Sequence, residues 1–223
     1  MGHVVQHTEL VDGSVQARAY QLEAVDEALA GSMLLVLPTA AGKTAVSWML
    51  IAEILHRNQG WVLFIAPTSA LVDQHLKDLK KVIKNVEAIS ITGSNIPKKR
   101  KEMWKTSKII VATPQVVRND VLNDILSLEE CSLLILDEAH HSTGKHAMVQ
   151  SAEMFNSSSK NGLILGATAS PGSNSMIVSE ICGRLKIERI HIRKADEPML
   201  KNYLSSLEIQ EIIVNVPEKI KTL

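Results

Sequence analysis

Seven short apolar runs punctuate this chain, and they are continuous rather than alternating. They fall at residues 33–37, 61–66, 88–91, 108–112, 133–136, 163–166 and 187–192. A strand with one face in water alternates apolar and polar residues, whereas a strand covered on both faces does not need to. Between the runs lie segments of helical spacing. Residues 18–30 stop at Gly31, and residues 43–56 open directly out of a glycine loop. Residues 69–83 carry Leu71, Val72, Leu76, Leu79 and Ile83 on one face. Residues 114–128 repeat that spacing with Val117, Val121, Ile125 and Leu128. Strands alternating with helices predict an α/β fold, a doubly wound parallel sheet with helices on both faces.

The composition suits that class. Hydrophobic residues make up 45% of the 223 and charged residues 22%, an ordinary globular balance. The formal net charge is zero, which argues against a uniformly basic coat protein but leaves room for a local basic groove. Aromatics are only 3%, too few for a base-stacking platform. The two cysteines, Cys131 and Cys182, lie in apolar surroundings and read as buried thiols in a reducing compartment. No run approaches the roughly 18 apolar residues of a membrane span, and residues 1–15 lack the basic and apolar regions of a signal peptide. A cytoplasmic location is expected, or a nuclear one in a eukaryotic cell.

Residues 34–44 read LLVLPTAAGKT. A buried strand ends, a tight loop follows, and a helix begins at Lys43. Pro38, Thr39, Ala40, Ala41 and Gly42 would wrap a phosphate, with the backbone N–H groups from Thr39 onward facing it at a helix N-terminus. Lys43 would neutralise the β and γ phosphates of ATP, and Thr44 would hold Mg²⁺ through its hydroxyl. Residues 132–140 read SLLILDEAH. Asp137 and Glu138 thus stand at the C-terminal end of a strand, where α/β sheets place ligands. Beside a phosphate loop, Asp137 would hold Mg²⁺ and Glu138 would polarise the attacking water.

The two segments together, PTAAGKT and then DEAH, resemble motifs I and II of the superfamily 2 DEAH-box-type helicases. Further motifs follow in order. Arg18 and Gln21, in RAYQLEAV, resemble the adenine-reading segment. Pro67 and Thr68 resemble motif Ia, Gly93 falls where a backbone contact is expected, and Thr113 and Gln115 lie in an ATPQ segment of the kind that touches nucleic acid. GATASP resembles motif III, whose Thr168 and Ser170 would link the acidic pair to the nucleic-acid face through His140. Within the superfamily, TASPG and the tail HIRKADEPMLKNYL are most similar to the archaeal Hef helicases and their FANCM relatives.

The resemblance implies a RecA-like P-loop NTPase domain with ATP and Mg²⁺ as cofactors. It also implies an ATP-dependent helicase working on the backbone of forked or branched DNA. RNA sensors and Dicer share much of the pattern, so an RNA-binding ATPase switch stands as the alternative. On this reading residues 1–194 form the domain. Residues 195–223, with a short helix near Met199–Leu204 and a strand at residues 208–216, lead out toward an insertion domain and a second RecA-like domain. One departure stands out: Ala40 occupies a position where the family usually has glycine.

Other features read more plainly. His140, His141 and His146 lack the cysteine partners and spacing of a zinc site, which leaves one motif histidine and two surface ones. Lys98, Lys99, Arg100 and Lys101 read equally as a phosphate contact or a solvated helix face. Trp48 and Trp61 sit in apolar patterns and read as core, and Trp104 is open.

The 223 residues on their own should hydrolyse ATP slowly or not at all. The partner domain's arginine finger, which supplies roughly 10³–10⁵ in rate, is not among the motifs found. Robust DNA-stimulated turnover by these residues alone would overturn that expectation.

Overall fold

The structure is a computed structural model and describes residues 3–58, 60–144, 146–169 and 175–201. An N-terminal arm pairs β1 (His3–Val4) with β2 (Gln16–Ala17). There follow α1 (Ala19–Leu29), β3 (Met33–Val36), α2 (Lys43–His56), β4 (Trp61–Ile65), α3 (Ser69–Val82), β5 (Ala88–Ile91) and α4 (Pro97–Met103). The chain continues through β6 (Ile109–Ala112), α5 (Pro114–Leu122), β7 (Cys131–Asp137), a 3₁₀ turn at Ala139–His141 and α6 (Ala147–Ser158). It ends with β8 (Leu163–Thr168), α7 (Ser175–Leu185), β9 (Arg189–Ile192) and α8 (Pro198–Lys201). Each of the seven apolar runs becomes a strand. The two-residue strands of the arm were not anticipated, because they are too short to show a period.

Strands β3 to β9 form one all-parallel sheet in the order β5-β6-β4-β7-β8-β3-β9. Side chains alternate between its two faces. Met33, Leu35, Val62, Phe64, Leu133 and Ile135 enter one core with α1, α2 and α3. Leu34, Val36, Leu63, Ile65, Leu134 and Leu136 enter another with α5, α6 and α7. Both registers are apolar because both faces are covered. The chain moves one way along the sheet from β3 to β5, then reverses. A fixed crossover hand requires that a reversal switch faces, and α4 to α7 do lie on the second face.

Helix α5 stops at Leu122, shorter than the spacing predicts. Asp124 takes a left-handed backbone (φ 55), and the N–H groups of Ile125 and Leu126 both return to Asp120 O at 2.8 and 3.0 Å. Leu126 and Leu128 still reach the core, from an irregular segment. After Lys194, Leu200 of α8 packs into the first core layer. The strand expected at residues 208–216 lies outside the described residues. Cys131 and Cys182 are buried free thiols, and burial pushes both thiol pKa values up.

The basic run of α4 divides. Arg100 is buried and grips Asp120 of α5 through two hydrogen bonds of 2.6 and 2.7 Å. Trp104 donates its indole N–H to the same carboxylate at 2.8 Å, which settles Trp104 as a core residue. Arg100 also donates to Asn95 O at 2.6 Å, and Asn95 accepts from Thr92 N at 2.8 Å. Arg100 is therefore committed to structure and is no phosphate ligand, whereas Lys98, Lys99 and Lys101 face solvent. Trp48 and Trp61 are only half-buried, at the margins of the two core clusters.

Removing one member of a buried pair strands the other charge. Asp120→Ala should lower stability by about 3–5 kcal/mol, read from urea unfolding. Lys99→Ala should change it by no more than about 0.5 kcal/mol. Equal effects would contradict this account of α4.

Candidate nucleotide and nucleic-acid site

In an all-parallel sheet, the loops that leave the strand C-termini gather at one edge. Along that edge the spatial order sets the loops after β5, β6 and β4 on one side and those after β7, β8 and β3 on the other. The expected nucleic-acid residues Gly93, Thr113, Pro67 and Thr68 belong to the first group. Asp137, Glu138, Thr168 and residues 38–44 belong to the second.

The phosphate loop leaves β3 and enters α2 through Gly42, whose backbone is left-handed (φ 84). A Cβ there would collide with the side-chain amide of Gln21, so only glycine fits. Gln21 is 3% exposed. Its Oε1 accepts from Arg18 N at 2.8 Å, and its Nε2 donates to Ala41 O at 3.0 Å and more loosely to Gly42 O at 3.4 Å. Tyr20 adds a hydroxyl bond to Ala41 O at 2.8 Å and accepts from the Arg18 guanidinium at 2.9 Å. The segment expected to read adenine is thus also the clamp on the phosphate loop. Thr39 and Ala40 are exposed, and Ala41 is buried.

Lys43 donates to Leu37 O at 3.2 Å. Burial lowers its pKa, and the negative charges of Glu138 and Asp137 partly oppose that fall. This ammonium therefore lies within the field of both carboxylates, as the phosphate-loop reading requires.

Asp137 is the last residue of β7, and Glu138 turns the chain with a left-handed backbone (φ 52). That conformation costs a non-glycine residue about 1–2 kcal/mol, and such strain concentrates at functional positions. The 3₁₀ turn that follows rests on Gly166 of β8, where a Cβ would press on Ala139 and Leu34 at 3.2 Å. The close approach brings His140 Nδ1 to within 3.1 Å of Thr168 Oγ1 and 3.2 Å of Glu138 Oε2. His140 therefore does bridge motif II and motif III. Ser170 lies outside the described residues.

His141 is exposed, and burial together with its neighbours His140 and His146 lowers its pKa against the pull of Glu138. His146 caps α6 by accepting from Met148 N at 3.2 Å. No group of three or more metal-ligating side chains occurs among the described residues.

Of the nucleic-acid residues, Thr68 is exposed and caps α3, accepting from Leu71 N at 3.3 Å. Gly93 faces open space. Pro67 is half-buried and Gln115 is exposed, but Thr113 is 7% exposed. Any contact at the start of α5 therefore falls to its backbone and to Gln115. No helix of the described residues is long and apolar enough to cross a membrane.

Sequence reasoning missed His75. Its Nε2 donates to Asp137 Oδ2 at 2.8 Å, and the ring lies against Phe64 with centroids 4.5 Å apart. The available signal was a polar residue on the apolar stripe of α3, at helical spacing from Val72 and Leu79.

The oxygen donors Thr44 and Asp137 suit magnesium, which binds through one or two carboxylates, phosphates and water rather than a protein cage. Ala40 occupies the left-handed region (φ 63), where alanine is strained. Ala40→Gly should therefore raise stability by about 0.5–1 kcal/mol, the strain relieved less the added unfolded-state entropy. Urea unfolding at constant slope measures it. A fall in the midpoint would show that the loop does not hold this backbone.

The family model of the DEAD/DEAH box helicases matches residues 18–177. A Methanocaldococcus jannaschii protein named as an ATP-dependent RNA helicase, MJ1505, is 40% identical over 97% of this chain and 28% of its own length. The Fanconi anemia group M protein of Gallus gallus is 30% identical over 91% of this chain and 10% of its own. The crystal structure of the Pyrococcus furiosus Hef helicase domain superimposes with a TM-score of 0.82 at 35% identity, covering 92% of this chain and 43% of that one. The chain thus spans under a third of these two curated relatives. It belongs to the DEAD/DEAH box helicase family, with the Hef and Fanconi anemia group M helicases among its relatives.

Proposed function

We propose that this chain is the first motor domain of an ATP-dependent DNA helicase or translocase acting on forked or branched DNA, with a second RecA-like domain in the same protein. One observation carries the reading: the nucleotide loops and the nucleic-acid loops adjoin along a single sheet edge. Lys43 and the loop N–H groups from Thr39 to Thr44, in the turn that Pro38 opens, hold the phosphates. Arg18 and Gln21 read the adenine side. Thr44 and Asp137 hold magnesium, which supplies charge neutralisation at the β and γ phosphates. Glu138 accepts a proton from the attacking water. His140 and Thr168, with Ser170, join that carboxylate to the nucleic-acid face. Pro67, Thr68, Gly93, Thr113 and Gln115 meet the sugar–phosphate backbone, so binding is independent of sequence and sensitive to salt.

In the intact protein, Glu138→Gln should retain nucleotide and lose hydrolysis by roughly 10²–10⁴, while Lys43→Ala should lose nucleotide binding. Unwinding of a labelled DNA fork should stop in both. Hydrolysis by the unaltered protein without movement along DNA would sink the motor reading and favour a nucleotide switch. The name of the Methanocaldococcus relative favours RNA as a second substrate, so a matched RNA fork belongs in the same assay.

A further inference from the structure

We propose that His75 is a positioning residue for magnesium: it holds the Asp137 carboxylate so that its second oxygen faces the metal site. The proposal rests on the reading of Asp137 as the magnesium carboxylate.

Three observations carry it. The first is the bond itself, Nε2 to Oδ2 at 2.8 Å, which joins residues 62 apart in sequence. The second is burial. His75 is 8% exposed, and an imidazole out of water is held by its partner rather than exchanging with solvent. The third is the seat of the ring. His75 lies 4.5 Å from Phe64 at an interplanar angle of 41°, on the buried stripe of α3 that also holds Val72 and Leu79. Phe64 is 2% exposed in β4, and β4 is the direct sheet neighbour of β7. The ring is therefore fixed from the strand beside Asp137.

A free aspartate carboxylate rotates about two torsions. One hydrogen bond from a wedged donor removes that freedom while consuming one lone pair of four. Oδ1 and the remaining lone pair of Oδ2 stay available to a metal. Groups that orient a metal's ligands typically contribute 10–100-fold in metal affinity. A purely structural histidine would be satisfied equally well by a backbone carbonyl. Here its partner is a carboxylate at the rim of the nucleotide site. The same helix begins at Thr68, so the element that carries a candidate nucleic-acid contact also fixes the magnesium carboxylate.

The test uses the intact protein and a fluorescent, ribose-labelled ADP. Its affinity is measured in chelator and then across a magnesium titration. His75→Phe keeps the ring and its packing but removes the donor. It should raise the magnesium concentration for half-maximal tightening about 10–100-fold and leave affinity in chelator unchanged. His75→Gln places an amide N–H near the same point and should recover most of the loss. An unchanged magnesium midpoint in His75→Phe overturns the proposal. So does an equal loss with and without magnesium, which marks a merely structural role. If the unaltered protein binds the nucleotide without any response to magnesium, the magnesium reading of Asp137 fails and takes this proposal with it.

Discussion

Seven strands that run the same way in one sheet fix almost everything else in this molecule. A parallel sheet needs a crossover for each strand, the crossovers cover both faces, and the covered faces make every strand apolar. The same constraint delivers every strand's C-terminal loop to one edge. A phosphate loop, an acidic pair and the three loops proposed to meet nucleic acid thereby share one edge, although they are spread from residue 38 to residue 138.

Within that edge the chain relies on a few close contacts. Gly42 lets the side chain of Gln21 lie against the phosphate loop. Gly166 lets the turn after Asp137 settle on β8 and bring His140 to Thr168. At each, an added methyl group would press on its neighbour, the Gln21 side chain in one case and Ala139 of the turn in the other. The backbone of Glu138 and of Ala40 is held left-handed, and only surrounding structure can hold non-glycine residues there. The buried Arg100–Asp120 pair fixes α4 against α5 and, through Asn95, reaches the loop of Gly93. It does so at some distance from the nucleotide loops.

Much of this was legible beforehand. Period placed all the strands of the main sheet, because burial on two faces leaves an unmistakable run, and helical spacing placed α1, α2, α3 and the start of α5 but not α6 or α7. Spacing placed Lys43, Thr44, Asp137 and Glu138, because a phosphate loop requires a strand, a turn and a helix in immediate succession. The end of α5 was misread because Ile125 and Leu128 keep helical spacing by coincidence. They reach the core from an irregular segment after the helix, and side-chain hydrophobicity cannot distinguish the two routes. The basic run 98–101 was ambiguous because its division between a buried arginine and exposed lysines depends on where Asp120 lies.

The sequence by itself determined the fold class, the strand list, the phosphate loop and the identity of the acidic pair, all of which are local patterns. Tertiary structure decided the order of strands across the sheet, and so which loops lie beside one another along its C-terminal edge. It also decided that His75 meets Asp137, that His140 meets Thr168 and that Gln21 clamps the loop of Gly42. These are contacts between residues far apart in the chain. Local propensity carries no information about them, and only the packing of both sheet faces brings them within hydrogen-bond reach.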